Sequence, residues 1–168
     1  NPDYLIVGEV RGKEAYVLFQ GMASGHSSLS TIHADSVVTL IRRLQTPPIE
    51  LPPTLVNSLD CVIILTHATV KKQETRRIRE VVEIVNVNRD GTAIINTPFV
   101  WEPKSDAFYF KKSSRVLEKI SSRKGIPIEK LQREFIIRAR LLYELYRRKI
   151  FGFDEVGMII NTYYKNPT

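Results

Sequence analysis

Two stretches of this chain place ionisable side chains where an apolar strand would end. Leu5-Ile6-Val7 runs into Gly8-Glu9 and then Val10-Arg11-Gly12. A carboxylate at the carboxyl end of a parallel strand stands where open α/β sheets bind ligands. There it can orient an attacking water, or hold magnesium through the metal's water shell. Gly8, lacking a side chain, leaves room for a phosphate or metal to approach. In the second stretch, Gly25-His26 precedes Ser28-Leu29-Ser30-Thr31-Ile32, and His33-Ala34-Asp35-Ser36 follows. His26 and His33 therefore sit at opposite ends of one short strand, with His33 near Glu9 across neighbouring strands. An imidazole there can donate a hydrogen bond to a phosphate oxygen. The same residues admit plainer roles: Glu9 as a capping or ion-paired acid, each histidine as a satisfied structural side chain.

The elements that must position these groups follow from the spacing of apolar residues. Strands are predicted at Tyr4–Val7, Ser28–Ile32 and Cys61–Leu65, with helices at Lys13–Ala23 and Ser36–Leu44 between them. Strand, helix, strand, helix, strand implies crossover connections and a mainly parallel sheet. The proline-rich segment from Thr46 to Pro53 suits neither a helix nor a central strand, so an extended loop should lead into a short helix from Thr54. Arg76–Asn88, the Asp90-Gly91 turn pair and Thr92–Asn96 read as a hairpin, with Phe108-Tyr109-Phe110 as a further edge strand; together they form an antiparallel extension of the first sheet. From Ser114 the chain reads as helical. A long helix spans about Ile128–Ile150, with Ile128, Leu131, Phe135, Leu142 and Leu145 on one side. A last helix starts near Asp154 as N-cap, with Phe153 and Met158 spaced for a hydrophobic staple.

Composition narrows the function classes. The chain has 168 residues, 43% hydrophobic and 26% charged, as in a globular protein. Its longest apolar run, Cys61-Val62-Ile63-Ile64-Leu65, suits a buried strand and is far too short to span a bilayer. The single cysteine, Cys61, excludes an intrachain disulfide and reads as a buried structural thiol. Residues 1–100 carry 10 Lys+Arg against 10 Asp+Glu, and residues 101–168 carry 15 against 8, so the whole +7 lies in the last third. That basic face is solvated, or docks on acidic partners, membrane surfaces or nucleic acid. No aromatic–basic interleaving of an RNA-binding type occurs, so specific nucleic-acid readout is not expected. Cys61, His26, His33 and His67 lack zinc-site spacing, and Gly21-Met22-Ala23-Ser24-Gly25 is not a nucleophile elbow.

Taken together, Asn1-Pro2-Asp3-Tyr4-Leu5-Ile6-Val7-Gly8-Glu9-Val10-Arg11-Gly12 resembles the atypical Walker B segment of the secretion ATPase superfamily. That superfamily serves type II and type IV secretion, type IV pili and the archaeal flagellum. Gly25-His26 through Thr31-Ile32-His33-Ala34-Asp35-Ser36 is similar to its histidine box, in the same order and spacing. Arg42-Arg43-Leu44, the proline-rich loop, Leu59-Asp60-Cys61-Val62 and Arg76-Arg77-Ile78 through Glu83-Ile84 are similar to the rest of its C-terminal domain, with the archaeal branch nearest.

The resemblance implies an α/β fold: a RecA-like P-loop NTPase core over residues 1–111, followed by a helical subdomain over 112–168. It implies Glu9 as the catalytic carboxylate supporting magnesium, His33 as a sensor of the γ-phosphate, His26 as the first histidine of the box, and Gly8 and Arg11 as parts of the nucleotide-binding signature. It implies a hexameric ring of sibling subunits that uses ATP and magnesium, placed in the cytoplasm at the inner membrane through a secretion or pilus platform protein. One element of the pattern is missing: no G-x-x-x-x-G-K-[ST] occurs, and Lys13 and Lys72 lack the required glycines. The first residue is Asn and a strand pattern begins at once, so the chain is expected to be the C-terminal part of a longer motor. Alone it should bind no nucleotide tightly and hydrolyse none. The alternatives are a non-catalytic docking module of a secretion or pilus system and, more remotely, a DNA-handling motor.

Overall fold

Strand β1 (Tyr4–Val7) turns Leu5 and Val7 toward the core and leaves Tyr4 and Ile6 exposed, the two-residue alternation of a strand with one packed face. In the computed structural model, which describes residues 2–165, β1 pairs in parallel with β2 (Ser27–Ser30), from Tyr4 opposite Ser27 to Val7 opposite Ser30. Helix α1 (Glu14–Ala23) makes the crossover and buries Ala15, Leu18 and Phe19 at helical spacing. It stops because Gly25 adopts a φ of 96°, which lets Gly25 N donate to Met22 O and His26 N to Gly21 O, each at 3.0 Å. Helix α2 (Val37–Gln45) begins where the Ser36 hydroxyl accepts from Thr39 N, and it buries Val37, Leu40, Ile41 and Leu44. A short helix α3 (Pro53–Val56) follows the proline-rich loop, with proline in its first turn.

The parallel sheet stops at two strands. Strands β3 (Cys61–Val70), β4 (Gln73–Val87), β5 (Ala93–Glu102) and β6 (Ala107–Phe110) form a separate antiparallel sheet in that order. The expected third parallel strand and the expected extension of the first sheet are both corrected by this arrangement. The cause is the Lys71-Lys72 turn, whose φ values of 49° and 66° are those of a mirror-image hairpin turn; it folds β3 straight back onto β4. The predicted Asp90-Gly91 turn is present, with Asn88 N donating to Thr92 O at 2.8 Å.

Cys61 is exposed, not the buried thiol the apolar run suggested. Strand alternation turns Ile64 inward and leaves Cys61, Ile63 and Leu65 on the opposite face. One charged side chain goes the other way. Glu83 of β4 is 4% exposed and accepts hydrogen bonds from Ser114 Oγ, Arg115 N (2.7 Å) and Asn96 Nδ2 (2.8 Å). It thereby satisfies the first amide of helix α4 (Arg115–Lys124).

Two compact units divide between Val116 and Leu117. In the second, α5 (Ile128–Arg147) and α6 (Phe153–Lys165) line a groove with Ile137, Leu141 and Leu145 on one side and Ile159 and Tyr163 on the other. Tyr163 closes the pair by donating its hydroxyl to Glu134 Oε1 at 2.7 Å. The expected inner stripe is therefore rotated: Leu145 is buried, whereas Phe135 and Leu142 are exposed. Asp154 lies inside α6 rather than at its cap, and Phe153 is 92% exposed, so the staple with the exposed Met158 does not form. No helix among the described residues is long and apolar enough to cross a membrane.

Candidate functional site

The site forms where the two parallel strands end. Beyond Val7 and Ser30 the strands stay joined: Thr31 Oγ1 donates to Gly8 O, and Val10 N donates to Thr31 O at 2.8 Å. Val10 is buried in the core, whereas the Arg11 side chain is exposed and that of Glu9 partly so. Glu14, at the start of α1, secures the far side of the loop, accepting from Arg11 N and, at 2.8 Å, from Gly12 N. Those backbone donors hold the Glu14 carboxyl below its usual range.

This scaffold brings Glu9, Arg11 and His33 together. Glu9 Oε2 pairs with Arg11 Nη2 at 2.5 Å, and Glu9 Oε1 lies 3.2 Å from His33 Nε2. The Glu9 side chain is 26% exposed and that of His33 82% exposed. The hydrogen bond from Arg11 is the main reason the Glu9 carboxyl ionises below its ordinary value; partial burial opposes it, and the charges of Arg11, His33 and Arg43 add to the lowering. Glu9 is thus a carboxylate at neutral pH. It is better suited to orienting a water or a metal's water shell than to removing a proton outright. A methyl group built on Gly8 would meet no atom within 4 Å, so the space beside the carboxylate is open.

His26 is not part of this cluster. It follows the Gly25 cap of α1, at the opposite end of β2, roughly 20 Å of extended chain from His33. Its backbone serves the turn, its N–H donating to Gly21 O and its carbonyl accepting from Ser28 Oγ at 3.1 Å. Four contributors escape sequence reasoning: Thr31 and Glu14, which tie the loops, and Arg43 and Arg79, which donate to the carbonyls of His33 and Asp35, each at 2.8 Å. Thr31 lies in the same stretch as His33, and Arg43 and Arg79 lie in Arg42-Arg43-Leu44 and in residues 76–84, but no spacing rule records which backbone atoms they bond.

For magnesium and a nucleotide, the residues present fit in part. Glu9 supplies one carboxylate whose two oxygens are engaged by Arg11 and His33, and no cluster of three potential metal ligands occurs among the described residues. Arg11, His33 and the open space at Gly8 suit the terminal phosphate. Nothing in the sequence supplies the glycine-rich loop that holds the remaining phosphates.

The model of the type II/IV secretion system protein family matches residues 1–124. Uncharacterized protein MJ1287 of Methanocaldococcus jannaschii is 38% identical over 149 residues, covering 88% of this chain and 55% of that protein. Uncharacterized protein MJ0900 of the same organism is 35% identical over 169 residues, covering 98% of this chain and 31% of that protein. Conjugal transfer protein TrbB of Rhizobium radiobacter is 32% identical over 85 residues, covering 49% of this chain and 26% of that protein. The chain spans about half and a third of the lengths of the two Methanocaldococcus relatives. With its family model covering well over half of the residues, the chain belongs to the type II/IV secretion system protein family.

Proposed function

We propose that this chain carries the water-orienting and phosphate-sensing half of an ATP-hydrolysing site in a secretion or pilus-type motor. The observation that carries the reading is the 3.2 Å approach of His33 to Glu9 at the carboxyl ends of two parallel strands. When bound, ATP with magnesium supplies the scissile phosphoanhydride and the metal's charge. Glu9 accepts a hydrogen bond from the attacking water and fixes its line of approach. His33, whose Nε2 faces Glu9 Oε1, turns that donor to the terminal phosphate as it arrives. Arg11 pairs with Glu9 in the structure described here; an arriving phosphate competes for its guanidinium and frees the Glu9 oxygen it holds. The finer parts of the reading belong to the same proposal: a RecA-like core completed by a phosphate-binding loop, a hexameric ring, and docking to a membrane platform protein. The exposed faces of β1 and β2, with Tyr4, Ile6 and Leu29 open, support such a completion, because parallel strands are ordinarily covered on both faces.

The test is magnesium-dependent ATP hydrolysis by two polypeptides. The 168 residues alone should show none above a Glu9→Gln control. A full-length protein containing them should hydrolyse ATP and lose at least 100-fold with Glu9→Gln, the order expected for a group acting in the transition state. Hydrolysis by the longer protein that survives both Glu9→Gln and His33→Asn would defeat the proposal.

A further inference from the structure

The segment that carries His33 has neither strand nor helix pairing between Thr31 and Asp35. Its imidazole is 82% exposed, so side-chain packing does little to hold it against Glu9. The backbone beneath it is held from two other elements. Arg43 of α2 donates from Nη1 to His33 O at 2.8 Å. Arg79 of β4 donates from Nη2 to Asp35 O at 2.8 Å, and is itself steadied by Glu80, whose Oε1 accepts from both Nε (3.2 Å) and Nη2 (2.8 Å). Ser36 then fixes the exit of the segment by capping α2, and Thr31 fixes its entry by bonding Gly8.

We infer that Arg43 and Arg79 are positioning residues, a pair of guanidinium clamps that set the His33–Asp35 backbone so that the His33 imidazole meets Glu9. The inference rests on Glu9 and His33 being the working pair. The chemistry suits arginine. A carbonyl on an irregular segment has no ladder partner, and a planar guanidinium reaches it with a fixed donor while a second donor stays anchored elsewhere. Arg79 shows this division directly, with Glu80 on one side and Asp35 O on the other. It also means that the four-stranded sheet, through β4, fixes part of a site built at the ends of the two-stranded one.

The clamps are tested by long-range nitrogen–proton spectra of the imidazoles in the histidine-labelled 168-residue chain. Its three histidines give three resolvable ring systems, with His33 assigned from His33→Asn. Glu9→Ala defines the signal of an unpaired His33. Arg43→Ala combined with Arg79→Ala should move the His33 ring nitrogens at least halfway to that reference and leave His26 and His67 in place. Arg43→Lys, which keeps the charge but offers a single ammonium, should restore part of the shift. A role confined to stability would lower the melting temperature without moving His33. If the double alanine variant fails to fold, Arg79→Lys combined with Arg43→Lys keeps stems and charges and must still displace the His33 signals. Signals unchanged in a folded double variant overturn the clamps while leaving the hydrolysis proposal intact. Lack of Glu9-dependent hydrolysis in the longer protein removes that proposal without touching the spectra.

Discussion

Glu83 offers the sharpest test of how the antiparallel sheet is held to the start of α4. Replacing it by alanine removes the acceptor of three donors at once: Ser114 Oγ, Arg115 N and Asn96 Nδ2. Hydrogen bonds to a charged group contribute about 1.5–3 kcal/mol each. Two of the three losses are softened, because the Ser114 hydroxyl can rotate and Asn96 Nδ2 also donates to Ser113 O at 2.8 Å. The loss at Arg115 N falls on the positive end of a helix, where an anion is favoured. Adding the space left by the missing side chain, Glu83→Ala should cost about 3–5 kcal/mol. Glu83→Gln should cost about 1–2 kcal/mol, since its carbonyl still serves Arg115 and Asn96 and its amide can donate to Ser114. Urea unfolding followed through Trp101, the only tryptophan and a buried one, reads both variants on the same sheet. Equal m values are required for the comparison. Equal costs for the two variants, or an alanine cost below about 1 kcal/mol, would refute the assignment of Glu83 as the acceptor for α4.

Four further outcomes follow from single residues. Arg11→Ala should raise the Glu9 carboxyl toward its ordinary value, because the Arg11 hydrogen bond is the largest cause holding it down; a carbon-13 titration of the Glu9 carboxyl that shows no rise would contradict the pairing. Asp106 accepts from Arg77 Nε (2.8 Å), Arg77 Nη2 (3.0 Å) and Trp101 Nε1 (2.9 Å), and chiefly through Arg77 its carboxyl falls from 3.8 to about 2. A carboxyl lowered on folding stabilises in full above its unfolded value and ceases to do so as pH falls through its folded value. The stability gap between the native chain and Asp106→Asn should therefore be constant above about pH 5 and close as pH approaches about 2; a gap that widens with acid would be the wrong sign. Gly91→Ala should cost about 1–2 kcal/mol in urea unfolding, since Gly91 has a φ of 86° and an added methyl would stand 2.6 Å from Gln45 Oε1. Gly8→Ala, with open space, should stay within about 0.5 kcal/mol of the native chain.

The parts of this molecule legible in its sequence are those that depend on neighbours along the chain. Strand β1 and the helices α1 and α2 declare themselves by period, and Ser36 and Gly25 mark a helix start and a helix end by residue type. Because β1 and β2 are parallel and joined by one helix, Glu9 and His33 could be placed side by side from spacing alone, and the structure puts them 3.2 Å apart. What resisted reading depends on long-range pairing. Cys61–Leu65 is apolar throughout and so resembles a strand buried on both faces, although only one face packs. The Lys71-Lys72 turn that decides its partner contains neither the glycine nor the asparagine that normally announces such a turn.

Glu83 shows the same limit at a single residue. In an alternating strand its position predicts a side chain on the face opposite Val82, hence in water. Glu83 does keep that alternation, standing opposite Cys61 while Val82 stands opposite Val62 in the core, and it is buried because the segment leading into α4 lies against it. The three donors waiting there come from β5 and from the segment leading into α4, more than a dozen residues away along the chain. A carboxylate inserted among them is tolerated because it is satisfied on every side, and that condition is set by the fold rather than by any local pattern.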